Sequence, residues 1–404
     1  MIKNSDEFAE RDPSSHPKPY IVQLYDASTI HTLQWPDSEI AQLVKAYWLP
    51  LMESGASHYI ENVDTMLLAI ALDDLVLPVT INDKEYDNCF VCSFYSHYIT
   101  YPKEELSLLN NPLLENGLSL LLTGLGLFLK WADINKSVIV NNWLLSTNLY
   151  PKLSSAHIQA ITQHLKQVFP KHAIVFRTLN DCTNADLKKA LSQQGYQMVG
   201  SRQVYIYNPQ SSEHSKKQCK KLNRQLKKDC KLLETSGCRI VNSNQISPSA
   251  MSRVTSLYRA LYLQKHSEQN PQFNQAFFQL MGDRSFLNLR GLCRGNKIDG
   301  FFGFYTLNGV LTSPLLGYDT SLPQSQGLYR MLTAQITSEG LRQNLILHRS
   351  SGVGAFKQNR GASNWTDYNA VLHDHLSLRR RLGWWILAWL FNRVALPLMR
   401  KYHL

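Results

Sequence analysis

Apolar and polar positions follow two rhythms along this chain. MLLAIALDDLVLPVTI (66–81) and AIVFRTL (173–179) are largely apolar over strand length, as expected of strands covered on both faces. Asp73-Asp74 interrupts the first run and marks a turn between two strands. NCFVCSFYSHYIT (88–100), residues 137–142 and QMVGSRQVYIYN (197–208) read as further strands. Helical spacing governs residues 117–131, 156–168 and 185–195, with Ser154 or Ser155 capping the second helix and Gly195 closing the third.

The second half of the chain has its own order. Helices are predicted over 216–234, 250–264 and 272–280. Three strands in a meander follow over 286–293, 300–307 and 310–317, with Asn296 and Asn308-Gly309 at the turns. A helix over 327–341, a strand over 345–348, a short helix over 353–359 and a strand over 365–372 complete it. Strands separated by helices predict an α/β (α+β) architecture. Residues 1–19 read as a flexible polar leader, 20–210 and 216–375 as two domains, and 379–404 as an amphipathic helix.

Length and charge narrow the picture. The 404 residues suffice for two or three domains. A net charge of +11 favours an acidic partner: nucleic acid, anionic lipid, an acidic carrier protein or a phosphorylated cofactor. Much of that charge sits on residues 216–231, which carry eight Lys/Arg against one acid, Asp229. The seven cysteines have no framework spacing, and Cys89-x-x-Cys92 in a strand would point its thiols to opposite faces, so they read as reduced core residues. The start of the chain lacks an apolar signal-like run. The uncharged run 118–129 is shorter than the ~20 residues that cross a bilayer, and reads as a buried helix. Residues 379–404 combine Arg379-Arg380-Arg381 with three tryptophans between 382 and 391, the composition of a helix resting on an anionic leaflet. No metal-ligand spacing is visible.

Three segments carry a family resemblance. NRQLKKDCKLLETSG (223–237) looks like the basic helix that opens FemAB-like and cellulose-biosynthesis-type acetyltransferase domains of the GNAT superfamily. GYDTSLPQSQGLYRMLTAQITSEG (317–340) sits where those domains have strand 4, a loop and the donor-facing helix. SSGVGAFKQNRGA (350–362) resembles their G-x-x-x-F-K-x-x-x-G signature. The resemblance covers about 160 residues, and the order of elements in the first half suggests a second, divergent copy.

The resemblance implies tandem GNAT-like domains and an N-acyltransferase. The donor would be a thioester on CoA or a carrier protein, or an aminoacyl-tRNA; the acceptor would be an amine on a glycan, lipid or metabolite. No tightly bound cofactor is implied: acyl-CoA or another acyl donor is a co-substrate. Gln324, Ser325, Gln326 and Gly327 would cradle the donor at a helix N-terminus, with Lys357 and Arg360 meeting its anionic groups. The usual phosphate loop ends in a small residue, whereas Tyr329 stands there in this chain. Asp319 and His348 are candidate bases, and Tyr318 and Tyr329 candidate acids. Expected partners are the acyl donor and an anionic membrane surface, at the inner face of the cytoplasmic membrane in bacterial envelope biosynthesis. The competing reading is a non-catalytic RNA- or membrane-binding protein on a decayed acyltransferase fold.

Overall fold

A computed structural model describes residues 20–109, 111–211, 216–283 and 286–402. The leader 1–19 and linker residues 212–215 lie outside the described residues. The first half contributes β1 (Gln23–Tyr25), α1 (Glu39–Ser54), β2 (Met66–Leu72), β3 (Leu75–Asn82), α2 (Tyr101–Glu105), α3 (Pro112–Trp131), β4 (Ser137–Val140), α4 (Ser155–Val168), β5 (Ala173–Leu179), α5 (Ala185–Gln193) and β6 (Gln197–Tyr207). The second half contributes α6 (Lys216–Thr235), β7 (Cys238–Asn242), α7 (Met251–Tyr258), α8 (Gln275–Asp283), β8 (Asn288–Arg294), β9 (Lys297–Leu307), β10 (Val310–Tyr318) and α9 (Leu328–Arg342). It ends with β11 (Ile346–His348), α10 (Gly354–Gln358), β12 (Ser363–Leu372), α11 (Leu378–Leu390) and α12 (Leu396–Tyr402).

These strands form one 12-stranded, mostly antiparallel sheet flanked by helices, in the order β1-β2-β3-β4-β5-β12-β6-β11-β10-β9-β8-β7. The order is palindromic. Each half lays five strands inward from its own edge and contains one parallel pair, β4 with β5 and β10 with β11. The sixth strands are exchanged: β12 of the second half pairs with β5, and β6 of the first half pairs with β11. β6 and β12 also pair antiparallel with each other from Ser363↔Ile206 to Val371↔Gln197. The two stretches of sequence therefore share a single sheet.

Local chemistry explains most elements. Ser154 caps α4 in a capping box with His157. Asn308 and Gly309, at φ 50° and 77°, supply the two left-handed residues of a tight β9–β10 hairpin. Helices cover both faces of the central strands. On β5, Ile174 and Phe176 join one core, while Ala173 and Val175 face a second core holding Trp384, Leu387 and Phe391 of the C-terminal helix.

Two expectations change. Residues 88–100 form turns and a π-helical turn over Ser96–Thr100, not a strand. Asn88 exchanges hydrogen bonds with the backbone of Asp64, and the Ser93 and Ser96 hydroxyls bond to each other and to Asn135 or the Asn88 carbonyl. These short polar side chains offer the backbone partners that compete with a strand ladder. The apolar run 118–129, expected to be a buried helix too short to span a bilayer, lies in an α3 of 20 residues that buries only one side and is long and apolar enough to cross a membrane; Leu120, Leu121 and Leu127 face outward.

Gly317 marks a tight crossing near the end of β10. A Cβ there would lie 2.9 Å from the Leu257 carbonyl carbon of α7 and would meet the Phe301 ring. Because backbone blocks the space, Gly317→Ala is expected to cost about 1–3 kcal/mol, read as a lower urea midpoint at unchanged slope.

Candidate active site

β10 and β11 pair only over Val310–Thr312 and Ile346–His348, and then diverge. Past Thr312, β10 is irregular and contains Pro314, which has no N–H to give a neighbouring strand. Past His348 the chain follows β6 instead: Arg349 N–H donates to the Tyr205 carbonyl at 2.9 Å, and Tyr205 N–H donates to the Ser350 carbonyl at 3.1 Å. A wedge opens between the two strands. Thr312 and His348 form its last rung, and the Thr312 hydroxyl and His348 Nε2 are buried without a hydrogen-bond partner.

The wedge gathers side chains from distant segments. Tyr318 ends β10 and Tyr329 lies in the first turn of α9, their ring centres 6.0 Å apart; Phe356 of α10 lies 4.9 Å from Tyr329. Beside this aromatic wall, Lys357 is buried, its amine 5.7 Å from the Tyr205 ring centre. Its Nζ donates to the carbonyls of Ser351 at 2.6 Å and Ser350 at 3.4 Å. Burial, followed by the charges of Arg349 and Arg202, brings the Lys357 pKa down to about 7. Arg349 donates to the Thr337 hydroxyl at 3.2 Å, and burial lowers its pKa to about 10. Among the described residues neither cation meets a carboxylate within ion-pair distance. The loop that places Lys357 is tight: Ser350, Gly352 and Val353 have positive φ, and a Cβ on Gly354 would collide with the Tyr205 hydroxyl.

Behind the wedge lies a buried ion cluster. His348 Nδ1 accepts from the Ser350 N–H at 3.2 Å, which leaves Nε2 as the protonated nitrogen, 3.9 Å from Asp367 Oδ1. Burial pushes the Asp367 pKa up, but His348, Arg202 and Asn180 outweigh it and hold the carboxyl below its ordinary value. Arg202 of β6 sits 3.3 Å from Asp367 and also donates to the Thr147 hydroxyl. His348 borders this cluster, and the Ser350 N–H orients its ring.

Three of the remaining expected residues, Asp319, Arg360 and Gln326, have side-chain partners. Asp319 accepts from Arg253 at 2.5 Å, Lys297 at 3.1 Å and the hydroxyl and N–H of Ser321. The Ser321 bonds, with Lys297 and Arg253, hold its carboxyl far below the carboxylate range against the effect of burial. Asp319 is therefore a poor proton acceptor near neutrality and a clamp between β10, α7 and β9. Arg360 is bound to Asp229 of α6 at 2.6 Å, and Arg330 of α9 takes the other Asp229 oxygen at 2.7 Å. Arg360 thus fastens the segment after α10 to the basic helix. Gln324 and Ser325 are exposed, and Gln326 accepts from Arg294 at 2.8 Å. Gly327 takes a left-handed conformation before α9, and a Cβ there would lie 2.5 Å from Leu232 of α6. Burial pushes the Tyr329 pKa well up, so its phenol stays protonated across the ordinary pH range. Among the described residues no three His, Cys, Asp or Glu side chains gather as a metal site.

The structure brings together Tyr318, Tyr329, Lys357 and, at the base, His348; Arg360 stacks on the Phe356 ring at 3.4 Å while bound to Asp229, and Asp319 is held by Arg253 and Lys297. Arg349, Asp367 and Arg202 complete the site and were not among the expected residues. Arg349 adjoins His348 in sequence, and Asp367 is a charge inside an otherwise strand-like run; both were signals. Arg202 comes from the other half of the chain, and only strand exchange delivers it.

The strand order and the parting of parallel β10 from β11 agree with the GNAT-like, FemAB-like fold that the resemblance of the sequence implies. No family model and no curated protein matches the chain. Solved structures similar to it include L-PGS from Bacillus licheniformis, at 14% identity over 59% of this chain and 78% of that one, TM-score 0.41. FemX aligns at 8% identity over 58% and 80%, TM-score 0.41. A conserved protein of unknown function from Bacteroides thetaiotaomicron aligns at 12% identity over 87% and 100%, TM-score 0.44. Likeness at this level says nothing of activity, and the functional reading rests on this chain's own side chains.

Two outcomes follow from the ion clusters. Asp229→Ala strands two arginines against a buried position and is expected to cost about 3–5 kcal/mol in denaturant unfolding. Asp319→Asn should lower stability at neutral pH. Because the folded pKa of Asp319 is depressed, its contribution is complete above the ordinary carboxylate pKa of about 4 and is lost as pH falls below it, so wild type and variant converge in acid.

Proposed function

We propose that this protein is an N-acyltransferase that works at the β10–β11 wedge. It would move an acyl or aminoacyl group from a thioester on CoA or a carrier protein, or from aminoacyl-tRNA, to an amine on a glycan, lipid or metabolite. The observation that carries the reading is Lys357: a buried amine with a pKa of about 7, without a carboxylate partner, beside Arg349 and an aromatic wall.

The chemistry follows from what that amine can do. Neutral Lys357 donates its two N–H groups to the Ser350 and Ser351 carbonyls and keeps a lone pair. The acceptor amine attacks the donor carbonyl carbon, forming the C–N bond, and Lys357 takes the proton the amine sheds. Arg349 and the newly charged Lys357 stabilise the oxyanion. The C–S or C–O bond then breaks, and the proton passes from Lys357 to the leaving thiolate or alkoxide, which restores the neutral amine. Tyr318, Tyr329 and Phe356 would line the path of the acyl chain. The protein would act at the inner face of the cytoplasmic membrane, held there by the C-terminal helices over 378–402, whose Trp385 and Trp389 are exposed beside Arg381.

The test is transfer activity against a panel of CoA thioesters, acyl-carrier protein and aminoacyl-tRNA, with Lys357→Met and Lys357→Arg beside wild type. Wild type should show a pH–rate profile that rises through about pH 7, and Lys357→Met should lose about 100-fold or more together with that inflection. An unchanged profile in Lys357→Met would overturn the assignment. Stability gives a second readout. The unfolded chain holds the Lys357 proton up to about pH 10.5 and the folded protein only to about pH 7. Wild-type stability relative to Lys357→Met should therefore rise with pH across that window.

A further inference from the structure

Helix α3 is the largest feature that the site does not use. At spacings of four and three it presents Leu113, Gly117, Leu120, Gly124, Leu127 and Trp131 outward, an unbroken exposed stripe without a charge. Leu120 is 75% and Leu127 68% exposed. The opposite side, through Leu122, Leu125 and Leu129, packs on the core cluster that also receives Trp384, Leu387 and Phe391 of the C-terminal helices. α11 repeats the pattern, with Leu378, Leu382, Trp385 and Trp389 exposed. The two helices meet where Arg379 lies over the Trp131 ring at 5.7 Å and bonds to the Trp131 carbonyl and Asp133.

We infer that α3 and α11 together form a docking surface for an anionic lipid bilayer, with α3 lying in the interface plane and its leucine stripe sunk among the acyl chains. The inference deepens the placement of the C-terminal helices given above and rests on it. Three observations select a bilayer as the occupant. Each stripe is bordered by cations set against aromatic rings, the pairing suited to a headgroup layer: Lys130 over Tyr86 and Tyr95, Arg379 over Trp131, Arg381 over Trp385. The nearby acids are occupied: Asp133 by Arg379, and Glu115 by the N–H of Asn111. The two stripes also adjoin: Arg379 over the Trp131 ring joins α3 to α11, so the apolar positions of both helices lie at one continuous surface. Both helices, over Pro112–Trp131 and Leu378–Met399, are long and apolar enough to cross a membrane, but their inner faces pack on the same core, which favours resting on the membrane over crossing it.

The experiment is co-sedimentation of the full chain with vesicles of phosphatidylcholine containing phosphatidylglycerol and with vesicles of phosphatidylcholine alone, alongside light scattering of the free protein. The variants are Leu120→Glu/Leu127→Glu and Trp385→Glu/Trp389→Glu. All four positions are exposed, so thermal unfolding should stay near wild type. Wild type should bind the anionic vesicles more tightly, and each double variant should weaken that binding about tenfold or more. If the α3 variant binds as wild type while the α11 variant does not, the α3 inference falls and the C-terminal placement stands. If wild type binds neither vesicle, both fall. Dissociation of an oligomer by the α3 variant, with no effect on vesicles, would overturn the inference in favour of a second copy of the chain.

Discussion

The antiparallel pairing of β6 with β12 is the constraint on which the rest of the structure depends. Each strand ends its own half of the chain and completes the sheet of the other. Neither half can satisfy its central backbone groups alone, because each would leave a long edge strand unpaired where its neighbour should lie. The pairing also fixes where the second half's polar residues go. It sets Asp367 of β12 opposite Arg202 of β6 and brings Tyr205 beneath Gly354 and Lys357.

The site is a consequence of that geometry. β11 is drawn along β6 after three residues, so it leaves β10, and the gap between them becomes the wedge. Ionic contacts then brace its walls. Asp229 ties α9 and α10 to the basic helix through two arginines, and Asp319 ties the end of β10 to α7 and β9. Within this frame Lys357 and Arg349 are left without carboxylates. A frame that pairs its outer charges and leaves the inner ones unpaired keeps Lys357 and Arg349 in a low-dielectric position, and that burial lowers the pKa of both.

The basic charge of the chain divides in the same way. Part of α6 anchors the fold through Asp229, whereas the C-terminal arginines are split. Arg380 is buried against the carbonyls of Lys171 and Lys136, and Arg379 and Arg381 cover tryptophans at the apolar surface. The same residue type thus serves packing at one position and surface chemistry at the next.

The sequence by itself determined most strands and helices of the second half, though not the edge strand β7, together with the tight Asn308-Gly309 hairpin and the local motif that carries Lys357, because turn chemistry, apolar periodicity and short-range glycine requirements act within a few residues. It also pointed to His348, Tyr318 and Tyr329 as neighbours of one cleft. It did not reveal that Asp319 and Arg360 are consumed by partners on other elements, since Arg253, Lys297 and Asp229 lie 22 to 131 residues away. Nor could it show that residues 88–100 abandon a strand for side-chain bonds to Asp64 and Asn135, or that α3 keeps its leucines outside. Burial is a property of what packs against a helix, not of the helix. Strand exchange decided the rest, by setting residues from opposite ends of the chain side by side across one sheet.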